Sequence, residues 1–141
     1  YASAHHTAQR PTEAIEAGEP SSLRAVLDEQ GQITCRDVYD HLNDGDALAQ
    51  RITDETARLL GILCVGLFHV IEPSRIVFGG GMTAAGDVLL DSIRHHFHEQ
   101  MWTMKEEPVE IVFSSLGEDA GIRGAAGLGR ELLQGTARKT S

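Results

Sequence analysis

Three consecutive glycines, Gly79-Gly80-Gly81, follow a short apolar run at residues 75–78 and precede an amphipathic segment that starts near residue 85. We interpret the run as a buried strand, the glycines as a turn and the segment as the start of a helix. Because glycine has no Cβ, the backbone of such a turn can approach a bound molecule closely. A helix start adds unpaired N–H groups, which suit an anionic group. The turn is therefore the best candidate for a ligand site.

The glycine turn formally matches a dinucleotide-binding fingerprint. Residues 79–84 fit the pattern G-x-G-x-x-A, which also needs an acidic residue at the end of the next strand, roughly 20 residues further on. The next predicted strand ends instead in Phe113-Ser114, so both the distance and the residue type fail. Two interpretations stay open, a nucleotide site in another fold and a tight turn without a ligand.

Other residues that could do chemistry are few. His95, His96 and His98 suggest a metal, but only His95 and His98 can share a helix face, and no cysteine or carboxylate partner stands at metal-site spacing. This pattern favours surface histidines. Asp119 is most simply the N-cap of the last helix. The sequence contains no nucleophile elbow, Walker A, HExxH or paired-carboxylate motif.

Composition indicates one soluble domain. The chain has 141 residues, of which 41% are hydrophobic, and its net charge of −9 argues against nucleic acid as a main partner. Cys35 and Cys64 form no CxxC pair, which favours a reduced, cytoplasmic protein. The longest apolar stretch, residues 59–71, is shorter than the roughly 20 residues that span a bilayer.

Periodicity and breakers divide the chain into helices and two strands. Pro11 is expected to interrupt the first helix, and one or two further turns are expected before Gly18. The predicted helices cover residues 1–9, 23–30, 35–42, 46–71, 85–100 and 119–134, and the predicted strands cover residues 75–78 and 109–113.

The longest predicted helix changes character along its length. Residues 59–68 are apolar all round, which predicts a helix buried on every side, and Gly61 and Gly66 would let another backbone approach closely. The last helix is rich in glycine and alanine on faces that we also expect to be buried.

The order strand, helix, strand, helix predicts an α/β protein with parallel strands. Ligands bind at the carboxyl ends of such strands, so the glycine turn and Ser114-Ser115 should lie on one rim. Two strands are normally too few for an independent sheet. The chain also starts at Tyr1 without Met and without a visible N-cap, so we expect a fragment whose remaining strands lie upstream.

Four segments in a fixed order resemble the C-terminal part of the ROK family, which comprises bacterial sugar kinases and related repressors: Tyr1–Ala4, Pro73–Gly81, Ala85–Asp87 and Asp119–Ala126. The resemblance covers essentially the whole chain and is greatest to the glucokinase branch. It implies an α/β fold, a partial ribonuclease H-like (actin-like ATPase) C-terminal lobe with additional helices. That lobe would occupy residues 1–134, without the N-terminal lobe, and residues 135–141 would form a disordered tail.

The resemblance also implies an activity and a site. The parent protein would use ATP with Mg to phosphorylate glucose, and its adenosine would bind at Gly79, Gly80, Gly81 and Met82. The segment Asp119–Ala126 would be the hinge-side helix. The catalytic aspartate and the ligands of a structural zinc would lie upstream of Tyr1, so the chain itself would hold no catalytic residue and no metal ligand, and would be inactive alone.

The partners implied are a small-molecule sugar and ATP, with no nucleic acid and no membrane, in a cytoplasmic homo-oligomer. One alternative is a sugar-responsive repressor of the same family, with a DNA-binding helix-turn-helix upstream. Another is a protein-binding module without a ligand, in which the glycine-rich helices serve packing or self-association.

Overall fold

The computed structural model describes residues 3–101, 109–116 and 120–139. Helices dominate, and two short strands stand in the second half of the chain. The order is α1 (Ala4–Glu16), α2 (Leu23–Gln30), α3 (Cys35–Asn43), α4 (Ala47–Ile71), β1 (Arg75–Phe78), a 3-10 helix (Gly81–Ala85), α5 (Gly86–Gln100), β2 (Glu110–Phe113) and α6 (Ala120–Lys139).

The first helix differs from its prediction at its start and at Pro11. Ser3 is its N-cap, and the Ser3 hydroxyl accepts a hydrogen bond from the backbone N–H of His6, so the expectation of an uncapped helix interior is wrong. Pro11 lies inside the helix and does not interrupt it. Proline removes one backbone hydrogen bond, and packing outweighs this loss because Pro11 is fully buried.

Arg10, beside Pro11, ties α1 to α4. Its guanidinium donates to Glu55 at 3.1 Å, to the carbonyl of Ile52 at 3.2 Å and to the hydroxyl of Thr56. These side-chain bonds come from a part-buried arginine, which makes them stronger than bonds on an open surface. They hold α1 against α4 at the turn of the helix that contains the proline.

The starts of α3 and α4 follow the sequence signals closely. Thr34 and Asp37 form a capping box at α3, and Asp46 caps α4 by accepting from the backbone N–H of Ala49 at 2.9 Å. Helices α1, α2, α3 and the start of α4 enclose one apolar cluster, whose buried members are Ile15, Leu23, Ile33, Val38, Leu48, Ala49 and Ile52.

A second apolar cluster joins the rest of α4 to α5 and the sheet. Its buried members include Leu60, Cys64, Phe68, Ile76, Leu89, Ile93, Phe97 and Ile111. Burial of each such side chain contributes about 1.5–3 kcal/mol, so this cluster fixes the position of α5 on α4 and the strands.

Only one side of the second half of α4 is covered, so the prediction of burial on every side is wrong. Val70 is 80% exposed, and Ile62, Leu63, Leu67 and Ile71 are exposed as well. The reason is that α5 and the strands pack on one side of the helix, and no described element covers the other. Gly61 contacts α5 closely as expected, whereas a Cβ built on Gly66 would have no atom of another described element within 4 Å.

The two strands form a parallel pair, as predicted, with Ile76 opposite Ile111 and Phe78 opposite Phe113. Ile76 and Ile111 are buried beneath α5 in the second cluster. The guanidinium of Arg94 donates two hydrogen bonds, of 3.0 and 2.7 Å, to the carbonyl of Ile111. Arg94 thus occupies the edge of β2 where a further strand would otherwise pair.

Helix α6 runs to Lys139, beyond Gly135, where its end was predicted, and so includes the first five residues of the expected tail. Residues 121–131 are all exposed, and Ile122 is 72% exposed. The prediction that the small-residue faces are buried is therefore wrong within the described chain. Asp119, the predicted N-cap, lies outside the described residues. No helix in the described ranges is both long and apolar enough to cross a membrane.

Candidate functional site

The glycine turn leads into a 3-10 helix, Gly81–Ala85, and α5 begins only after it. Two glycines bracket this insertion: Gly80 has φ 90° and ψ −169°, and Gly86 has φ 61° and ψ −154°. Both conformations belong to a region that only glycine adopts readily. The α-helix begins at Gly86, as the predicted start near residue 85 required, and the two backbone reversals with the 3-10 helix between them separate the turn from it.

The 3-10 helix is stabilised by hydrogen bonds within it and by packing against the second apolar cluster. The backbone N–H and the hydroxyl of Thr83 both donate to the carbonyl of Gly80, at 3.0 and 2.9 Å. Met82 and Ala85 pack against the second apolar cluster, in which Tyr39 of α3 is buried. The turn is therefore supported by α3 as well as by the strands.

The two strands end at the same rim, as the sequence predicted. The backbone N–H of Ser114 donates to the carbonyl of Phe78 at 2.7 Å, which continues the ladder past both strand ends. A Cβ built on Gly79 would lie 3.8 Å from the Cβ of Ser114, an ordinary contact distance. The backbone conformation at Gly79 therefore does not require glycine. The missing side chain instead leaves space at the end of β1.

An apolar cavity of about 350 Å³ opens beside this rim. Three of the four predicted site residues, Gly79, Gly81 and Met82, line it, and Gly80 is not among its lining residues. Gly80 instead provides the backbone reversal that turns the chain toward Met82. The remaining lining residues are Ser3, Leu60, Leu63, Phe78, Leu89 and Phe113.

The chemistry of the cavity suits a flat ring more than a phosphate chain. Its lining carries two phenylalanine rings and no charged side chain, and its volume is at the lower end of the 300–1,000 Å³ usual for small-molecule sites. Asp87, in the first turn of α5, already places a carboxylate at that helix N-terminus. The described lining is apolar and offers no charged side chain to a phosphate group or to a divalent cation.

The two cysteines are structural, Cys64 inside the second apolar cluster and Cys35 packed against it. Burial raises the pKa of the Cys64 thiol to about 11, so this cysteine stays protonated and inert at neutral pH. Cys35 is half-buried, and burial raises the pKa of its thiol as well. Neither cysteine has the lowered pKa that a nucleophile or a metal ligand would need.

The three histidines of α5 have separate roles. His96 bonds Asp54 of α4 at 2.8 Å and its side chain is only 13% exposed, so the prediction of a surface histidine is wrong for this residue. His95 lies 3.5 Å from Glu99, and His98 is exposed. Among the described residues, no three His, Cys, Asp or Glu side chains are grouped closely enough to hold a metal ion.

Sequence reasoning missed six of the residues that line the cavity: Ser3, Leu60, Leu63, Phe78, Leu89 and Phe113. Phe113 could have been predicted as a lining residue, because the end of β2 was already expected at the same rim as the glycine turn. Nothing in the sequence around the three leucines indicates that they line a cavity. They belong to helical apolar patterns, and only the packing of α4 against α5 brings them to the cavity.

Solved structures with the same fold define the class of protein. The structure aligns with a ROK family glucokinase from Streptomyces griseus, solved in complex with glucose and AMPPNP, at a TM-score of 0.70 and 26% identity, over 91% of this chain and 41% of that one. It also aligns with a ROK family transcriptional regulator, a homologue of the E. coli MLC protein, at a TM-score of 0.66 and 28% identity, over 79% of this chain and 27% of that one. The fold is that of the ribonuclease H-like, actin-like ATPase class, as predicted.

The sequence places the chain within that class. It matches the ROK family over residues 12–131, and the chain belongs to this family. Glucokinase from Halalkalibacterium halodurans is 34% identical over 127 residues, which cover 90% of this chain and 38% of the relative. Glucokinase from Thermotoga maritima is 32% identical over 98 residues, 70% of this chain and 31% of the relative. The chain thus spans less than half the length of these proteins.

Proposed function

We propose that the chain is the C-terminal lobe, residues 1–134, of an ATP-dependent sugar kinase of the glucokinase type. In this role it binds the adenosine of ATP at Gly79, Gly80, Gly81 and Met82, and α6 serves as the hinge-side helix. The parent protein transfers the γ-phosphoryl group of ATP to glucose. The observation that carries the proposal is the apolar cavity beside a glycine turn at the carboxyl ends of two parallel strands.

The remaining parts of the reaction belong to residues outside the chain. We propose that Mg and the phosphates of ATP, the sugar and the catalytic aspartate are bound or supplied upstream of Tyr1, together with a structural zinc. Closure of two lobes over the substrates excludes water before phosphoryl transfer. On this account the chain alone binds nucleotide weakly and transfers no phosphate. The parent acts in the cytoplasm as a homo-oligomer, without nucleic acid or a membrane.

The family also contains transcriptional regulators, and one of them shares this fold. The fold therefore does not separate a kinase from a sugar-responsive repressor, whereas the relatives named above are glucokinases. The sequence encoded upstream of Tyr1 decides between them. A phosphate-binding motif and a catalytic aspartate agree with a kinase, and a winged helix-turn-helix there would contradict the proposal.

Nucleotide binding is tested by adding ATP and ADP to the ¹⁵N-labelled chain and following its amide resonances. We expect the largest shift changes at Gly79, Gly81 and Met82 and at the strand ends, because these residues line the cavity. Glucose added alone should leave the spectrum unchanged, and glucose added with ATP should give no glucose 6-phosphate. Shift changes confined to other surfaces, such as α6, would contradict the proposed site.

A further inference from the structure

Helices α4 and α5 approach each other closely at Gly61. A Cβ atom built on Gly61 would lie 2.9 Å from the Cβ of His96, 3.0 Å from the backbone nitrogen of Phe97 and 3.1 Å from the carbonyl carbon of His96. Two of these three atoms belong to the backbone of α5. No rotation of a side chain can therefore make room for a methyl group, and one helix would have to move.

A polar contact holds the same two helices together about two turns away along α4. The Nε2 atom of His96 lies 2.8 Å from a carboxylate oxygen of Asp54. Phe97, the residue after His96, is buried in the cluster shared by α4, α5 and the sheet. The spacing of the helices is thus fixed by backbone contact at Gly61 and kept by the packing on either side of it.

This spacing bears directly on the cavity. Leu60 and Leu63, which flank Gly61 on α4, line the cavity, and so does Leu89, about two turns before His96 on α5. An α-helix moves nearly as a rigid rod, because its backbone hydrogen bonds run along its whole length. A shift of α5 away from α4 therefore changes the distance between Leu89 and the two leucines of α4.

We propose that Gly61 is a positioning residue for the nucleotide, because the close approach that it permits between α4 and α5 sets the width of the cavity beside the glycine turn. The role rests on the proposed function, since it requires that a nucleotide occupies this cavity. Gly61 itself is not among the lining residues and acts through the leucines that flank it.

The test compares Gly61→Ala with Gly66→Ala in the 141-residue chain. Both substitutions replace a glycine of α4 and raise helix propensity equally, but Gly66 has no neighbouring atom within 4 Å. Circular dichroism establishes that each variant is folded, and titration with ATP gives its dissociation constant. We expect Gly66→Ala to bind like the unaltered chain and Gly61→Ala to bind about threefold more weakly or worse, because a small displacement of a site lowers its complementarity.

The alternative outcomes separate the two proposals. Equal affinity of Gly61→Ala and Gly66→Ala would overturn the positioning role and leave the proposed function intact. Absence of binding by the unaltered chain would contradict the proposed function, and Gly61 would then have no nucleotide to position. If Gly61→Ala alone is unfolded, the double variant Gly61→Ala/Gly66→Ala replaces it, with Gly66→Ala as its reference, and the same comparison of affinities decides.

Discussion

At the scale of single residues, the glycines of the turn have different tasks. Gly80 is required by its backbone conformation, whereas Gly79 has ordinary φ and would make only an ordinary contact through a Cβ. The sequence predicted the three glycines as one site, but it does not show which of them has a left-handed φ. The φ angle of each glycine depends on the direction in which the chain leaves β1 and on the packing of Met82 against the second apolar cluster.

The two glycines can be separated by their effect on stability. We expect Gly80→Ala to lower the free energy of unfolding by about 1–3 kcal/mol, since a side chain is strained at φ 90°. Gly79→Ala, the adjacent control, should change it by less than about 0.5 kcal/mol, because its new Cβ meets only ordinary contacts. Urea unfolding followed by circular dichroism measures both. Equal losses would show that the turn does not have this conformation.

Asp46 is the most heavily bonded carboxylate of the described chain. Burial raises the pKa of its side chain, but hydrogen bonds from the backbone of Ala49 and Ser22 and from the hydroxyls of Ser22 and Ser21 outweigh this effect and lower the pKa to about 2. Asp46 thus caps α4 and fastens the start of α2 to it. We expect Asp46→Ala to cost about 1–2 kcal/mol in thermal or urea unfolding.

Low pH should remove the stabilisation that the Asp46 carboxylate provides. Because the folded-state pKa of Asp46 is lowered from 3.8 to about 2, its stabilisation is present above pH 4 and is lost as the pH falls toward 2. Asp46→Asn is the matched control, since it keeps an oxygen for the N–H of Ala49 but cannot titrate. The unaltered chain should lose more stability than Asp46→Asn between pH 4 and pH 2. Parallel profiles would contradict the role of this carboxylate.

At the scale of elements, helix starts were predicted well because they depend on local chemistry. Thr34 and Asp46 are residue types that favour the N-cap position, and both accept a backbone hydrogen bond there. The prediction that Pro11 interrupts the helix was wrong because it considered only the local penalty of proline. The burial of Pro11 is a tertiary effect, and the neighbouring residues in the sequence do not predict it. The exposed side of α4 was missed likewise, since apolar residues predict burial but do not identify the element that covers them.

The contribution of Arg94 to the edge of β2 can be tested by substitution. Arg94 donates twice to the carbonyl of Ile111, whereas Arg75 makes only an exposed ion pair with Glu110 on the other side of the strands. We expect Arg94→Ala to lower the free energy of unfolding by about 1–3 kcal/mol, the worth of hydrogen bonds from a charged group. Arg75→Ala should cost less than about 1 kcal/mol, as is usual for surface pairs. Thermal unfolding measures both, and a larger loss for Arg75→Ala would contradict the structure of this edge.

At the scale of the whole molecule, the order of elements was sufficient to predict the parallel strand pair and the rim that carries the cavity. The strand ends Phe78 and Phe113 lie opposite each other, as the α/β pattern requires. The cavity itself could not be predicted, because its leucines come from α4 and α5 and are brought together by the packing of these two helices. Family membership, by contrast, followed from motifs spread along the chain, and the match over residues 12–131 confirms it.

The central claim is that a nucleotide occupies the cavity beside the glycine turn, and calorimetric titration of ATP into Gly79→Val tests it most directly. Valine at this position adds three carbon atoms to the lining of the cavity without straining the backbone, since Gly79 has no left-handed φ. Gly66→Val, which adds the same side chain where no atom lies within 4 Å, is the control. We expect ATP to bind the unaltered chain and Gly66→Val alike and to lose measurable affinity for Gly79→Val. Undiminished binding to Gly79→Val would contradict the claim.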